Sequence, residues 1–282
     1  MIKTVPKPEI ILILGMHRSG TSMVAQMVAR WGAYMGKDMM LADVYNQDGY
    51  WEFNPLVDFH DKLLKRTNNK WFAPSNKIKT KELLIEFGYE AEQLVHLMDQ
   101  QGCAWCWKDP RMTLFLDFWQ KVLAGREVIY LATYRSPLDI ARSVSIRDKL
   151  PASITVSLWE FSTEIIFAAL SANKKYIFID YEKTISNPEI KCKELFQFLN
   201  ESIQVTKSNA VADSMIEAVK SNLNHAESNV LIATNPRQQE LENIYLSGKI
   251  PESFVASEVR LREIRQVFSL FRKLSMVKKL FN

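Results

Sequence analysis

The chain predicts an α/β fold: a three-layer α/β/α sandwich built on a parallel sheet, followed by a helical C-terminal extension. Three observations predict it. Short uninterrupted apolar runs recur along the first two thirds of the chain, and helical patterns separate them. These runs are too continuous for a half-wetted antiparallel sheet and suit a parallel sheet buried on both faces. The first run, Ile10-Ile11-Leu12-Ile13-Leu14, leads directly into Gly15-Met16-His17-Arg18-Ser19-Gly20-Thr21-Ser22, a glycine-bounded turn at the start of a helix.

Taken in order, Glu9–Leu14, Cys103–Trp107, Val128–Tyr134 and Tyr176–Asp180 read as strands, each a bounded run rich in β-branched or aromatic residues. Helical patterns cover Thr21–Trp31, Pro55–Arg66, Thr80–Gln100, Thr113–Leu123, Pro137–Lys149 and Ile154–Ala172. Strands alternating with helices imply right-handed crossovers and helices on both sheet faces. After Asp180 the pattern is helical only, over Pro188–Leu199, Lys207–Asn222, Gln238–Leu246 and Ser257–Leu280. The expected division is therefore an α/β domain over residues 1–205 and a helical extension over 206–282, packed on it or continuous with it. The Asn-rich stretch His225–Arg237, broken by Pro236, reads as a loop or flap.

At 282 residues and 47% hydrophobic content, the chain can bury a sizeable core. No apolar stretch approaches the roughly 20 residues of a spanning helix. Met1 to Glu9 has lysines but no long apolar core, so no signal peptide is expected. Three cysteines, Cys103, Cys106 and Cys192, argue against a disulfide framework and suit a reducing cytoplasm. Cys103 and Cys106 read as core residues of a strand, and no metal site is expected of them. The net charge is +4, but residues 258 to 282 hold seven basic side chains against two acidic ones. The rest of the chain is near neutral, which does not suggest nucleic acid as a partner.

The glycine-bounded turn has the framing of a phosphate loop, G-x-x-x-x-G-K-[ST], with Thr21 in the lysine slot and the positive charge moved to Arg18. Backbone N–H groups at a helix N-terminus still suit a phosphate. The usual clamp on the β- and γ-phosphates of a nucleoside triphosphate is lost. Two further segments follow strand ends with a basic residue: Lys108-Asp109-Pro110-Arg111 and Arg135-Ser136-Pro137. Basic residues at three strand ends on one rim of a sheet imply a ligand with several negative charges.

These residues resemble the P-loop sulfotransferases that use 3′-phosphoadenosine-5′-phosphosulfate (PAPS). Residues 15–22 resemble the family's 5′-phosphosulfate loop, and Arg135 and Ser143, eight residues apart, resemble its 3′-phosphate site. Gly49-Tyr50-Trp51-Glu52 and Trp107-Lys108-Asp109-Pro110-Arg111 look like bacterial carbohydrate-type members. The resemblance implies PAPS as co-substrate, 3′,5′-ADP as product, no metal, and a carbohydrate or glycoconjugate hydroxyl as acceptor. It places His17, Arg18, Ser19, Gly20, Thr21, Ser22, Arg135 and Ser143 on the nucleotide, with Arg18 and Lys108 near the leaving oxygen. The family's late Arg-Lys-Gly-x-x-Gly-x-Trp-Lys segment is missing, and Arg237 is the residue expected in its place. Arg142 is expected to face elsewhere on its helix.

Transfer to a hydroxyl needs a base. Glu52, Asp58, His60 and Asp61 are the carboxylates and imidazole within reach in sequence. Glu52 best matches the glutamate base of related enzymes, and His60 is the second choice. Trp51, Trp71 and Trp107 stand close to these segments and suit either sugar stacking or packing. A kinase transferring phosphoryl from ATP is the alternative reading and would want Lys at position 21; a non-catalytic nucleotide-binding module is a third.

The tail presents Ile264, Val267, Phe268, Phe271, Leu274, Val277 and Phe281 at helical spacing, with basic residues opposite. Such a helix docks on the body, on a second subunit as a dimer contact, or on an anionic membrane surface, where the enzyme would be cytoplasmic and peripheral.

Overall fold

A computed structural model of the chain describes residues 7–44, 49–172, 175–220 and 234–280. Four strands form one all-parallel sheet: β1 (Ile10–Leu14), β2 (Trp105–Lys108), β3 (Val128–Tyr134) and β4 (Tyr176–Asp180). Their spatial order is β2-β1-β3-β4. Ile10 pairs with Trp105 on one side and with Val128 on the other.

The helices are α1 (Thr21–Trp31), α2 (Asn54–Arg66), α3 (Thr80–Asp99), α4 (Leu116–Val122), α5 (Pro137–Asp148), α6 (Ala152–Leu170), α7 (Tyr181–Ser186), α8 (Pro188–Ile203), α9 (Asn209–Lys220), α10 (Pro236–Ser247) and α11 (Glu258–Leu280). Alternation along each strand divides the core into two layers. Ile10, Leu12 and Leu14 share one cluster with apolar residues of α2 to α6, α10 and α11. Ile11 and Ile13 share the other with residues of α1, α8 and α9. This is the three-layer α/β/α sandwich. Met215 and Val219 of α9 are buried beside α1, so this helix packs in the sandwich although its sequence lies beyond residue 205.

Several expectations need correction. The helix expected over Thr113–Leu123 divides into a 3₁₀ turn, Pro110–Phe115, and α4. Asp109 causes the tight start, because its side chain accepts the Arg111 backbone N–H. Cys103 lies exposed ahead of β2, whereas Cys106 and Cys192 are buried. Burial pushes the Cys192 thiol up to about 12. The end of the helix expected to reach Asn222, and residues 225–233 of the expected flap, lie outside the described residues.

One apolar stretch does have the length and composition of a spanning helix: α6. It is mostly buried in the protein and carries two fully buried carboxylates, Glu160 and Glu164, which make it a core helix. Both carboxylates are paired. Glu160 accepts from Arg260, Gln238 and Asn235, and Glu164 accepts a two-pronged bond from Arg237. These bonds fix the start of α10 and of α11 against α6. Leu261, Ile264 and Phe268 then bury the inner face of α11, with Phe268 against Phe161. Val267, Leu270 and Leu274 stay on the outside.

Candidate active site

The loop between β1 and α1 needs its glycines for stated reasons. A Cβ on Gly15 would lie 2.1 Å from the Thr133 hydroxyl at the end of β3. Gly20 has φ 93° and would drive a Cβ to 2.4 Å from the Tyr181 ring. The N-cap residue of α1 is Gly20, which has no side chain to cap the helix, and the first N–H groups of α1 are directed at the loop. Arg18 itself adopts φ 69°, a left-handed conformation uncommon for a residue with a side chain.

This turn aims Arg18 across the rim of the sheet. Its Nε donates to Ser143 Oγ on α5 at 2.8 Å. Arg135, just past β3, donates from Nη1 to the Arg18 carbonyl at 3.3 Å. The Arg135 guanidinium lies 4.5 Å over the Tyr181 ring, and its Nε stands 3.4 Å from a Glu182 oxygen without hydrogen-bond geometry. Arg18, Arg135 and Ser143 are thus brought together. They meet where the chain leaves β1 for β2 on one side and later adds β3 on the other, the crevice in which parallel sheets bind ligands. Burial, then Arg147 and Arg135, lower the Arg18 guanidinium from its ordinary value. Arg142 is bonded to Asp139, three residues back on its own helix.

Not every expected loop residue points outward. Ser19 is buried, and its hydroxyl reaches the Met16 carbonyl and Thr133 Oγ1, each at 2.7 Å. It braces the loop from beneath. Ser22 Oγ donates to the Tyr50 carbonyl at 3.2 Å. The His17 ring packs 4.2 Å from Trp71, centroid to centroid. Burial first, then the positive field of Arg147 and Arg111, hold its pKa well below the ordinary value. His17 is therefore neutral at pH 7, a packing element and not a cation for phosphate.

The second cluster lies at the ends of β2 and of the segment before α2. Gly49 and Trp51 both have positive φ, 85° and 57°. For a tryptophan this conformation costs about 1–3 kcal/mol. The kink turns the Tyr50 carbonyl toward Lys108 Nζ, 2.7 Å away, and brings Glu52 Oε1 to 2.7 Å from the same nitrogen. Arg111 Nη2 takes the other Glu52 oxygen at 2.9 Å. Glu52 and Lys108 are both buried. Each Glu52 oxygen retains a lone pair for one more donor. Asp58 and Asp61 are exposed, and Asp61 is bonded to Arg111 at 3.1 Å.

His60 is fully buried, with Nδ1 2.7 Å from Asp109 and Nε2 2.8 Å from the Trp119 indole nitrogen. An indole N–H only donates, so Nε2 is the acceptor and Nδ1 carries the proton toward Asp109. Both ring nitrogens are committed, and the expectation of His60 as a base is corrected on that ground. His60 instead orients Asp109. Burial alone would raise the Asp109 carboxyl, but His60 and Arg111 outweigh it and hold it well below the ordinary value. Asp109 in turn fixes Arg111, bonding its Nε at 2.8 Å.

Arg237 is also corrected. Its guanidinium is bonded to buried Glu164 and lies 5.3 Å over Phe254, so it is a strut between helices. Sequence reasoning missed Arg147, Thr133 and Tyr181. Arg147 lies one turn beyond Ser143 on α5, a spacing that puts both on one face. Its guanidinium is 6.0 Å from the Trp71 ring. Tyr181 directly follows a fourth strand end, Asp180, on the same rim.

No family model matches the chain, and no curated protein matches it. Among solved structures it is similar to the sulfotransferase domain of the curacin biosynthetic pathway. That likeness has 16% identity, 87% of this chain and 100% of that one covered, and a TM-score of 0.46. A sulfotransferase from Mycobacterium avium is similar at 12% identity, with 90% of this chain and 79% of that one covered and a TM-score of 0.48. The sulfotransferase domain of the Synechococcus PCC 7002 olefin synthase is similar at 14% identity, with 95% and 96% covered and a TM-score of 0.46. These structural neighbours are sulfotransferases. Likeness at this level does not transfer function, which has to rest on the residues of the site.

Proposed function

We propose that this protein is a sulfotransferase that moves the sulfuryl group of PAPS to a hydroxyl of a carbohydrate or glycoconjugate. The observation that carries the reading is the meeting of Arg18, Ser143 and Arg135 at the N-terminus of α1, where Gly20 is the N-cap. The helix N-terminus and Arg18 suit a 5′-phosphosulfate, and Arg135 with Ser143 suits a 3′-phosphate. Thr21 in the lysine slot fits a donor without a triphosphate.

In this reading the acceptor oxygen attacks sulfur in line, and the bond from sulfur to the bridging phosphate oxygen breaks. Glu52 takes the acceptor proton. Arg18 and Lys108 stabilise the charge that grows on the bridging oxygen, and 3′,5′-ADP departs. Lys108 has a second task, since its bond to Glu52 holds the base beside the leaving group. Arg111, fixed by Asp109, holds the other carboxylate oxygen.

Thermal denaturation with added nucleotide tests the reading. Strong stabilisation by 3′,5′-ADP, with transfer of label from PAPS to a glycan acceptor, is the expected result. Stabilisation by ATP with Mg²⁺ and none by 3′,5′-ADP would overturn it in favour of a kinase. Binding of 3′,5′-ADP without transfer to any acceptor in a broad glycan screen would leave only a binding module.

A further inference from the structure

A cavity of about 430 Å³ lies between the segment before α3 and the flank of α11. It is lined by Ser75, Lys77, Arg262, Arg265 and Ser269, with Glu258 as its one acidic wall residue. Among the described residues, no carboxylate forms an ion pair with Lys77, Arg262 or Arg265, whereas Arg260 on the same helix pairs with Glu160 and Glu263. Arg265 is the unusual member. Its Nε is buried and has no hydrogen-bond partner. Phe161 lies 5.3 Å from the guanidinium, a cation–π contact that brings no counter-charge. Burial lowers the Arg265 pKa, with Glu258 opposing it, as befits a cation short of counter-charge. Buried donors without partners are rare in native proteins, and each calls for an acceptor.

We propose that this cavity is an oxyanion site, distinct from the loop after β1, which takes a phosphate, sulfate or carboxylate group between Arg262, Arg265 and Lys77. Ser75 and Ser269 supply neutral donors at its edge. The site has a physical route to the candidate active site. Arg272 ties α11 to Ser75 and to Asn68, and the segment between them carries Trp71, which packs on His17 of the loop. The anion is either free or a substituent of the acceptor. The second source, but not the site itself, rests on the sulfotransferase reading.

The test uses the full chain carrying Arg18→Ala, which weakens competition for the anion by the loop after β1, and its readout is local to Arg265. Inorganic phosphate is titrated while the Arg265 Nε–H resonance is followed by ¹⁵N NMR, with Arg265→Lys identifying the signal. The expected result is a saturable shift of that signal, and, with calorimetric titration as the readout where Arg265 is replaced, a phosphate affinity at least about tenfold weaker in Arg262→Gln/Arg265→Gln. Lys77→Gln/Arg262→Gln, both at exposed positions, gives the same comparison should the first pair unfold the protein. No shift at Arg265, or equal affinity in both pairs of variants and their parent, would overturn the site. Glucose 6-phosphate as a second probe separates the sources: much tighter binding than phosphate marks a substituent on a larger ligand, and equal binding marks a free anion. None of these readings depends on transfer activity, so failure here and failure of the sulfotransferase reading are distinguishable.

Discussion

Arg18 and Ser143 stand 125 positions apart, yet Arg18 Nε donates to Ser143 Oγ at 2.8 Å. The bond ties the loop after β1 to α5, and it gives both residues a defined position relative to Arg135.

In the sulfotransferase reading, removing either partner is expected to affect nucleotide affinity. Ser143→Ala is expected to weaken 3′,5′-ADP about tenfold, the worth of one hydrogen bond to a charged group. Arg18→Ala is expected to cut turnover about a hundredfold or more, because it removes a donor that acts on developing charge. Calorimetric titration and initial rates with labelled PAPS check both. An Arg18→Ala enzyme with full turnover would remove Arg18 from the chemistry.

Glu52 and Lys108 form a buried pair, and truncating one member strands the other. Lys108→Met is expected to cost about 3–5 kcal/mol in urea denaturation, since Glu52 would keep only Arg111. Glu52→Gln preserves the shape and one of the two cation bonds, because its amide nitrogen cannot accept from Lys108 or Arg111. It is expected to keep the fold and nucleotide binding while losing transfer. Transfer at the parent rate by Glu52→Gln would exclude Glu52 as the base.

Two groups give stability two separate pH windows. The His17 pKa is depressed, so above about pH 6.5 folded and unfolded chains both carry it neutral. Below that, only the unfolded chain takes up the proton, and stability falls with pH. His17→Gln is expected to lose less stability than the parent between pH 7.5 and 5.5. Asp109 acts lower down. Its contribution is complete above the ordinary carboxylate range near pH 4 and is lost as pH falls toward its depressed folded pKa. Urea midpoints of Asp109→Asn against the parent, from pH 5 to 2.5, should converge as pH falls.

Arg237→Ala leaves buried Glu164 without its charged partner, and a loss of about 3 kcal/mol or more is expected. Affinity for 3′,5′-ADP should not change, because Arg237 faces α6. A selective loss of nucleotide affinity at unchanged stability would return Arg237 to the nucleotide site.

Much of this organisation was legible in the amino-acid order. Strands β3 and β4 and helix α1 occupy the residues expected, because apolar run length and glycine placement are local properties. Arg18, Arg135 and Lys108 were legible as residues just past strand ends on one rim, and Ser143 through the family resemblance, by its spacing of eight residues from Arg135. What escaped depends on which elements pack together. Glu160 and Glu164 sit in an apolar helix that gives no hint of the arginines that reach them from α10 and α11. His60 looked accessible until Trp119 and Asp109 closed on its two nitrogens. Arg147 had a usable signal in its four-residue spacing from Ser143, whereas Thr133 had none, being hidden among other β-branched residues of its strand.

The Tyr50 carbonyl serves two masters, the Lys108 ammonium and the Ser22 hydroxyl. A single peptide oxygen is thus the mechanical hinge pin between the first turn of α1 and the carboxylate cluster at the end of β2. Any shear of α1 along its own axis tugs on that oxygen, and the strained Trp51 backbone beside it leaves the connecting segment little slack with which to absorb the pull.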